Sequence, residues 1–147
     1  MKNLFLFMAV TALSLSLNSC SKSSSSDDDN NAGANSITCK IGGVSKTFTA
    51  TTVSSGGFVV IYGFSGPQAD PTETITLSMQ SGATGANKIM SLSYMNVDGD
   101  SWDGDPITSN VTTNNTTDAA GTFSGTLIPF DAGANLTLTE GNFSATF

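Results

Sequence analysis

The densest run of chemically capable side chains is Asp98-Gly99-Asp100-Ser101-Trp102-Asp103-Gly104-Asp105-Pro106. Its glycines permit tight turns between the four carboxylates. Calcium takes about 6–8 oxygen ligands, so Asp98, Asp100, Asp103 and Asp105 form a candidate hard-cation loop. The run departs from a helix-flanked calcium loop, because Trp102 and Asp103 occupy its fifth and sixth positions and the sixth needs glycine. The competing reading is a solvated hairpin loop whose Asp and Gly residues simply make the turn. Trp102, the sole tryptophan, sits in the same run. It could contact a ligand by stacking on a sugar ring, or fold back as a cap over a sheet edge.

Other chemistry is sparse. The chain has no histidine, and its five cations are all lysines. The usual general base and His metal ligands are therefore missing. No Ser-x-x-Lys motif follows residue 36, and Glu73 and Glu140 are the only glutamates, each at a strand boundary. A non-enzymatic protein is expected. Cys39 lies between Ile37 and Ile41 and reads as a small core residue. The formal net charge is −7. A chain so acidic and lacking arginine cannot neutralise many phosphates, which argues against nucleic-acid binding. Nor does it hold the basic cluster that grips anionic lipid heads.

The N-terminus suggests how a membrane is reached. Met1-Lys2-Asn3 is a short positive segment and Leu4 to Leu17 an apolar one. A spanning helix needs about 20 apolar residues, so this reads as an export signal over residues 1–19. Leu17-Asn18-Ser19-Cys20 resembles the lipobox of bacterial lipoproteins. The resemblance implies cleavage before Cys20 and a diacylglycerol thioether on that cysteine. Several acyl chains anchor firmly where one does not.

Residues 20–36 continue as the lipidated cysteine and a Ser/Asp/Asn tether without apolar periodicity. As a flexible coil it would reach roughly 20–24 Å. Its Asp27-Asp28-Asp29 run resembles the surface-export tags of Bacteroidota lipoproteins, although there the acids lie closer to the cysteine. Ser21 is not the Asp that retains lipoproteins at the inner membrane of some Gram-negative bacteria. Outer-membrane attachment is expected, facing either the periplasm or the cell surface.

Residues 37–147 show period-two alternation and no helical stripe. Ile37, Cys39 and Ile41 alternate with polar residues, then Gly42-Gly43 reads as a hairpin turn. Phe48 and Ala50 share one face of the next segment. Phe58 to Phe64 is apolar on both faces, as a doubly covered strand would be. Ile75, Leu77 and Met79 form one alternating set, and Met90, Leu92 and Tyr94 another. A weaker strand spans Ile107 to Thr113. Strands around Phe123, Leu136 and Phe143 follow, and Phe143 and Phe147 read as two terminal core anchors. Eight or nine short strands without crossover helices predict a single all-β antiparallel domain, a β-sandwich or flattened barrel, with the uneven strand spacing favouring the sandwich.

Two patches resemble small Bacteroidota lipoproteins classed as domains of unknown function. One is Cys39-Lys40-Ile41-Gly42-Gly43-Val44 with Phe48 and Ala50. The other is Gly121-Thr122-Phe123-Ser124-Gly125 followed by Leu136-Thr137-Leu138-Thr139-Glu140-Gly141-Asn142-Phe143. The resemblance implies an envelope β-domain and carries no catalytic residues. The expected function is a lipid-anchored envelope lipoprotein whose β-domain binds or displays a protein or glycan partner. The alternatives are a structural or accessory envelope subunit without a ligand, and a calcium-stabilised module built on the acidic run.

Overall fold

The computed structural model describes residues 33–147. Cys20, the signal segment and most of the tether fall outside the described residues. The strands are β1 (Ser36–Ile41), β2 (Val44–Ser55), β3 (Phe58–Ser65), β4 (Glu73–Gln80), β5 (Gly85–Ala86), β6 (Ile89–Met95), β7 (Ser101–Asn114), β8 (Asp118–Pro129) and β9 (Leu136–Thr146). The fold is all-β, with no helix among the described residues.

Eight strands run up and down in the order β1-β2-β3-β4-β6-β7-β8-β9, each antiparallel to the next. β9 returns to β1, pairing Ile37 with Phe143 and Ile41 with Leu138. The ring is thus closed, which settles the sandwich-or-barrel alternative as a barrel. Closure gives every strand of the main ring a partner on both sides, although β6 and β7 pair only over Ser93–Met95 and Ser101–Asp103. Strand spacing does not contain this closure, which rests on pairing between the first and last strands, and bulges supply curvature. Register shifts fall at Thr38/Lys40, Ser78/Met79, Gly104/Ile107, Val111/Thr113 and Phe123/Gly125. A bulge bends its strand and sharpens the local twist.

Two hairpins have two-residue glycine turns. Gly42 and Gly43 have φ of 59° and 82°, and Gly56-Gly57 repeats the geometry at the far end of β2. Such turns match the twist of the strands they join.

Inward residues fill the barrel. Phe48, Ile61, Leu77, Leu127 and Leu138 are fully buried and belong to one apolar cluster. An eight-stranded barrel is just narrow enough for side chains to close its interior. Space is shared between large and small residues. A Cβ on Gly63 would lie 2.6 Å from Cγ2 of Ile75 and 2.9 Å from the Cβ of Phe48, so the glycine makes room for side chains of both neighbouring strands.

Three expectations change. Phe58–Ser65 is covered on its inner face only, and Phe58 and Tyr62 are exposed outside. Met90 points outward, because the bulge near Met79 turns both Met90 and Ser91 away and leaves Ile89 and Leu92 inside. Phe147 is 42% exposed and anchors nothing, whereas Phe143 is buried.

The alternation of strands defines two poles. The turns at 42–43, 66–72, 96–100 and 130–135 meet at one. The turns at 56–57, 81–88 and 115–117 meet at the other, towards which β1 begins and β9 ends. Asn35 is already tied in there: its side-chain oxygen accepts from the Thr146 backbone N–H at 2.7 Å and hydroxyl at 2.8 Å.

Candidate functional site

The acidic run is not one loop. Its first part is the tight turn between β6 and β7, organised by Asn96. The Asn96 side-chain oxygen accepts from the backbone N–H groups of Asp98 (3.0 Å) and Asp100 (2.9 Å). Its amide nitrogen donates to the Asp100 carboxylate at 3.2 Å. From Ser101 the chain is already β7, and Asp103 and Asp105 stand exposed on that strand. The four predicted carboxylates are therefore strung along a turn and a strand. No three acidic, Cys or His side chains gather into a metal-holding group among the described residues. A calcium loop needs its oxygens wrapped around one point; the extended backbone of β7 spaces them along a line instead.

Trp102 turns inward from the start of β7. It is only partly exposed and packs against the apolar cluster. It lies opposite Tyr94 in the ladder, with ring centroids 5.5 Å apart and planes tilted by 31°. Its indole N–H points to the Ala134 carbonyl at 3.4 Å, in the β8–β9 loop. Beside it Asp100, Ser101, Pro129, Asp131 and Gly133 line a hollow of about 120 Å³. The hollow thus combines an aromatic ring, two carboxylates and a hydroxyl.

Beneath this surface lies a polar tier. Lys46 Nζ contacts Glu73 Oε1 at 2.6 Å, and the Tyr94 hydroxyl donates to the same oxygen at 3.1 Å. Both charged side chains are largely buried, at 25% and 14% exposure. Tyr94 connects the pair to Trp102. Burial pushes the Tyr94 phenol well above its ordinary value, and the Glu73 charge adds to the rise. Cys39 lies opposite Lys46 in the β1–β2 ladder and is buried. Burial raises its thiol to about 12, against the opposing pull of Lys46. A thiol so protonated is a packing group and a poor nucleophile.

Motif searching misses the Lys46–Glu73–Tyr94 tier, although a signal was present. Lys46 shares strand parity with Phe48 and Ala50, Glu73 with Ile75 and Leu77, and Tyr94 with Leu92. Period-two alternation therefore aims all three into the barrel.

A second depression, of about 570 Å³, lies on the barrel wall where β6, β7 and β8 meet. Met90, Ile128 and Phe130 border it together with Asp103 and Asp105. The β6–β7 ladder stops at Ser93–Asp103, and lower β7 pairs with β5 instead, from Asn110. Asn87 and Ser109 stitch the lower seam, with Ser109 Oγ accepting from the Ile89 backbone N–H at 3.2 Å.

No family model, no curated protein and no solved structure matches this chain.

Proposed function

We propose that the chain is a lipid-anchored lipoprotein of the cell envelope, held at the outer membrane through Cys20, whose barrel is a non-enzymatic binding module. Its binding pole is the end bearing Trp102, and a glycan is the partner that end suits best. The supporting observation is the polarity of the barrel. β1 begins towards one pole, while the Trp102 hollow opens at the other. A tether of roughly 20 Å would then hold the Trp102 pole facing away from the lipid.

The chemistry of the hollow supports a sugar. An aromatic ring offers an apolar face, and Asp100, Asp131 and Ser101 offer acceptors to hydroxyl donors. The missing histidine supports binding without turnover.

Two measurements test this. Fractionation of cells carrying wild-type and Cys20→Ser chains should move the protein from the membrane to a soluble or uncleaved form. A glycan array probed with the Cys20→Ser chain should give hits that Trp102→Ala abolishes. An array without hits would favour the accessory-subunit reading. Hits that survive Trp102→Ala would remove the site.

A further inference from the structure

We propose that the depression over the β6–β7 seam docks an extended, lysine- or arginine-bearing apolar segment of another protein. The depression shares only Pro129 with the Trp102 hollow, and the proposal deepens the binding reading by naming the chemistry of a protein partner.

Three observations carry it. First, Met90 and Phe130 are 64% and 66% exposed, and Ile128 is 40% exposed, all bordering one depression. Large apolar side chains gathered at one concave place, and not scattered singly, mark an interaction surface. Second, Asp103 and Asp105 stand on the same border, and no lysine lines it. Lys40 is engaged with Glu140 and Lys46 with Glu73, and Lys88, just before β6, is not among the lining residues. The depression thus presents two exposed negative charges beside apolar side chains, which complements a cationic and apolar occupant. Third, the ladder is interrupted beneath it, between Asp103 and Asn110 on the β6 side of β7. The interruption leaves the depression between the two strands, where Leu92 and Gly104 also line it.

The seam does not admit an inserted strand. A Cβ on Gly104 would lie 3.2 Å from the Leu92 Cβ, so the two strands already approach closely. The segment therefore lies over the seam, with apolar side chains against Met90, Ile128 and Phe130 and its cations towards Asp103 and Asp105. An anionic lipid surface would be repelled by those carboxylates. A second copy of this chain, itself at −7, is a poor electrostatic match.

The test uses the full chain in detergent and two short labelled peptides. One alternates lysine with leucine, and the other alternates glutamate with leucine. Fluorescence anisotropy should show the lysine peptide binding, more weakly as salt rises, and the glutamate peptide not binding. Asp103→Asn with Asp105→Asn should weaken the lysine peptide about fivefold, the expected effect of two exposed charge pairs. Phe130→Ser should weaken it at least as much, while Asp118→Asn at the opposite pole leaves it unchanged. Because Asp103, Asp105 and Phe130 are exposed, unchanged melting temperatures should accompany the losses. Equal binding of both peptides, no binding of the lysine peptide, or indifference to the Asp103/Asp105 pair would overturn the proposal. So would self-association of the chain that Phe130→Ser abolishes, since a second copy would then cover the face. None of these results depends on Trp102, so failure here leaves the glycan reading standing.

Discussion

Phe143 lies across Gly121, its partner on the neighbouring strand, and fills the space a side chain would need. A Cβ on Gly121 would fall 2.9 Å from Cε1 of Phe143 and 2.5 Å from the Asn110 carbonyl oxygen. The relationship is reciprocal. Phe123 pairs with Gly141, and a Cβ there would lie 2.6 Å from Cε2 of Phe123. The two rings meet at 6.4 Å between centroids. The glycine-aromatic spacing of the last two strands is thus a packing device: each strand offers one ring and receives one.

Gly121→Ala should therefore destabilise the barrel. The neighbours are backbone and a buried ring, so nothing yields easily. A loss of about 1–3 kcal/mol is expected for such overpacking. Each kcal/mol should lower the melting temperature by about 4–8 °C in a domain of this size. Gly133→Ala is the control for ordinary glycine effects, because its backbone is not left-handed and a Cβ there would meet only the Pro129 ring at an ordinary 3.5 Å. Differential scanning calorimetry of both variants decides the matter.

The Lys46–Glu73–Tyr94 tier gives a second outcome. Lys46→Met leaves Glu73 largely buried with only the Tyr94 hydroxyl on its contacting oxygen. Removing one partner of a fully buried pair costs about 3–5 kcal/mol; partial exposure here brings the expected loss to about 1–3 kcal/mol. The double variant Lys46→Met with Glu73→Leu should recover much of it, because no uncompensated charge remains. A double variant less stable than Lys46→Met would mean that the tier is held by something besides the pair.

These relationships differ in how legible they are in sequence. Ile37, Cys39 and Ile41, or Ile75, Leu77 and Met79, can be assigned by parity alone, since strand alternation is local. Ile89 and Met90 exchange faces because of a bulge opposite Met79, which no period-two count contains. Closure is equally hidden: the β1–β9 pairing joins Ile37 to Phe143 across most of the chain. The acidic run shows the limit at the site. Its carboxylates are close in sequence, but β7 carries Asp103 and Asp105 away from the turn that holds Asp98 and Asp100, so proximity along the chain does not become a cluster of acids.

Asn96, and not the acids, should hold that turn. Asn96→Ala removes the acceptor of two backbone N–H groups and should cost about 1–2 kcal/mol. Asp98→Ala, at an exposed turn position, should be close to neutral. Addition of calcium should leave the melting temperature of the wild-type chain unchanged. A calcium-dependent rise lost in Asp100→Ala with Asp103→Ala would restore the cation reading.

Alkaline pH should weaken the fold through Cys39 and Tyr94. Both are raised above their ordinary values in the folded state, Cys39 from 9.0 to about 12 and Tyr94 upward from 10.0. The unfolded chain therefore releases protons first. Below pH 9 the contribution of Cys39 is fully present. It is lost between pH 9 and about 12, at up to about 1.4 kcal/mol per pH unit. Tyr94 adds to the decline above pH 10. Urea melts across this range should show a falling midpoint, less steep in Cys39→Ala once corrected for the lost side chain. A thiol reagent at pH 8 should leave Cys39 unmodified in the native protein.

The end of the chain separates anchoring from mere proximity. Phe143 is 2% exposed and sits where β9 joins β1 to β8, so its ring seals both seams of the closing strand. Phe143→Ala should cost about 3–5 kcal/mol, the range for deleting a buried aromatic. Phe147 is 42% exposed beyond the end of β9, and its backbone N–H donates to the Thr117 carbonyl. Phe147→Ala keeps that hydrogen bond and should change stability by less than about 1 kcal/mol. Deleting residues 143–147 does more than remove a ring. It strips the ladder at Ile37 and along Asp118 to Gly121, opening the ring on both sides of its closing strand. Cooperative unfolding should disappear in that truncation. A truncated chain melting as sharply as Phe143→Ala would mean that the eight-stranded ring tolerates opening, and that the rings, not the closure, hold it together.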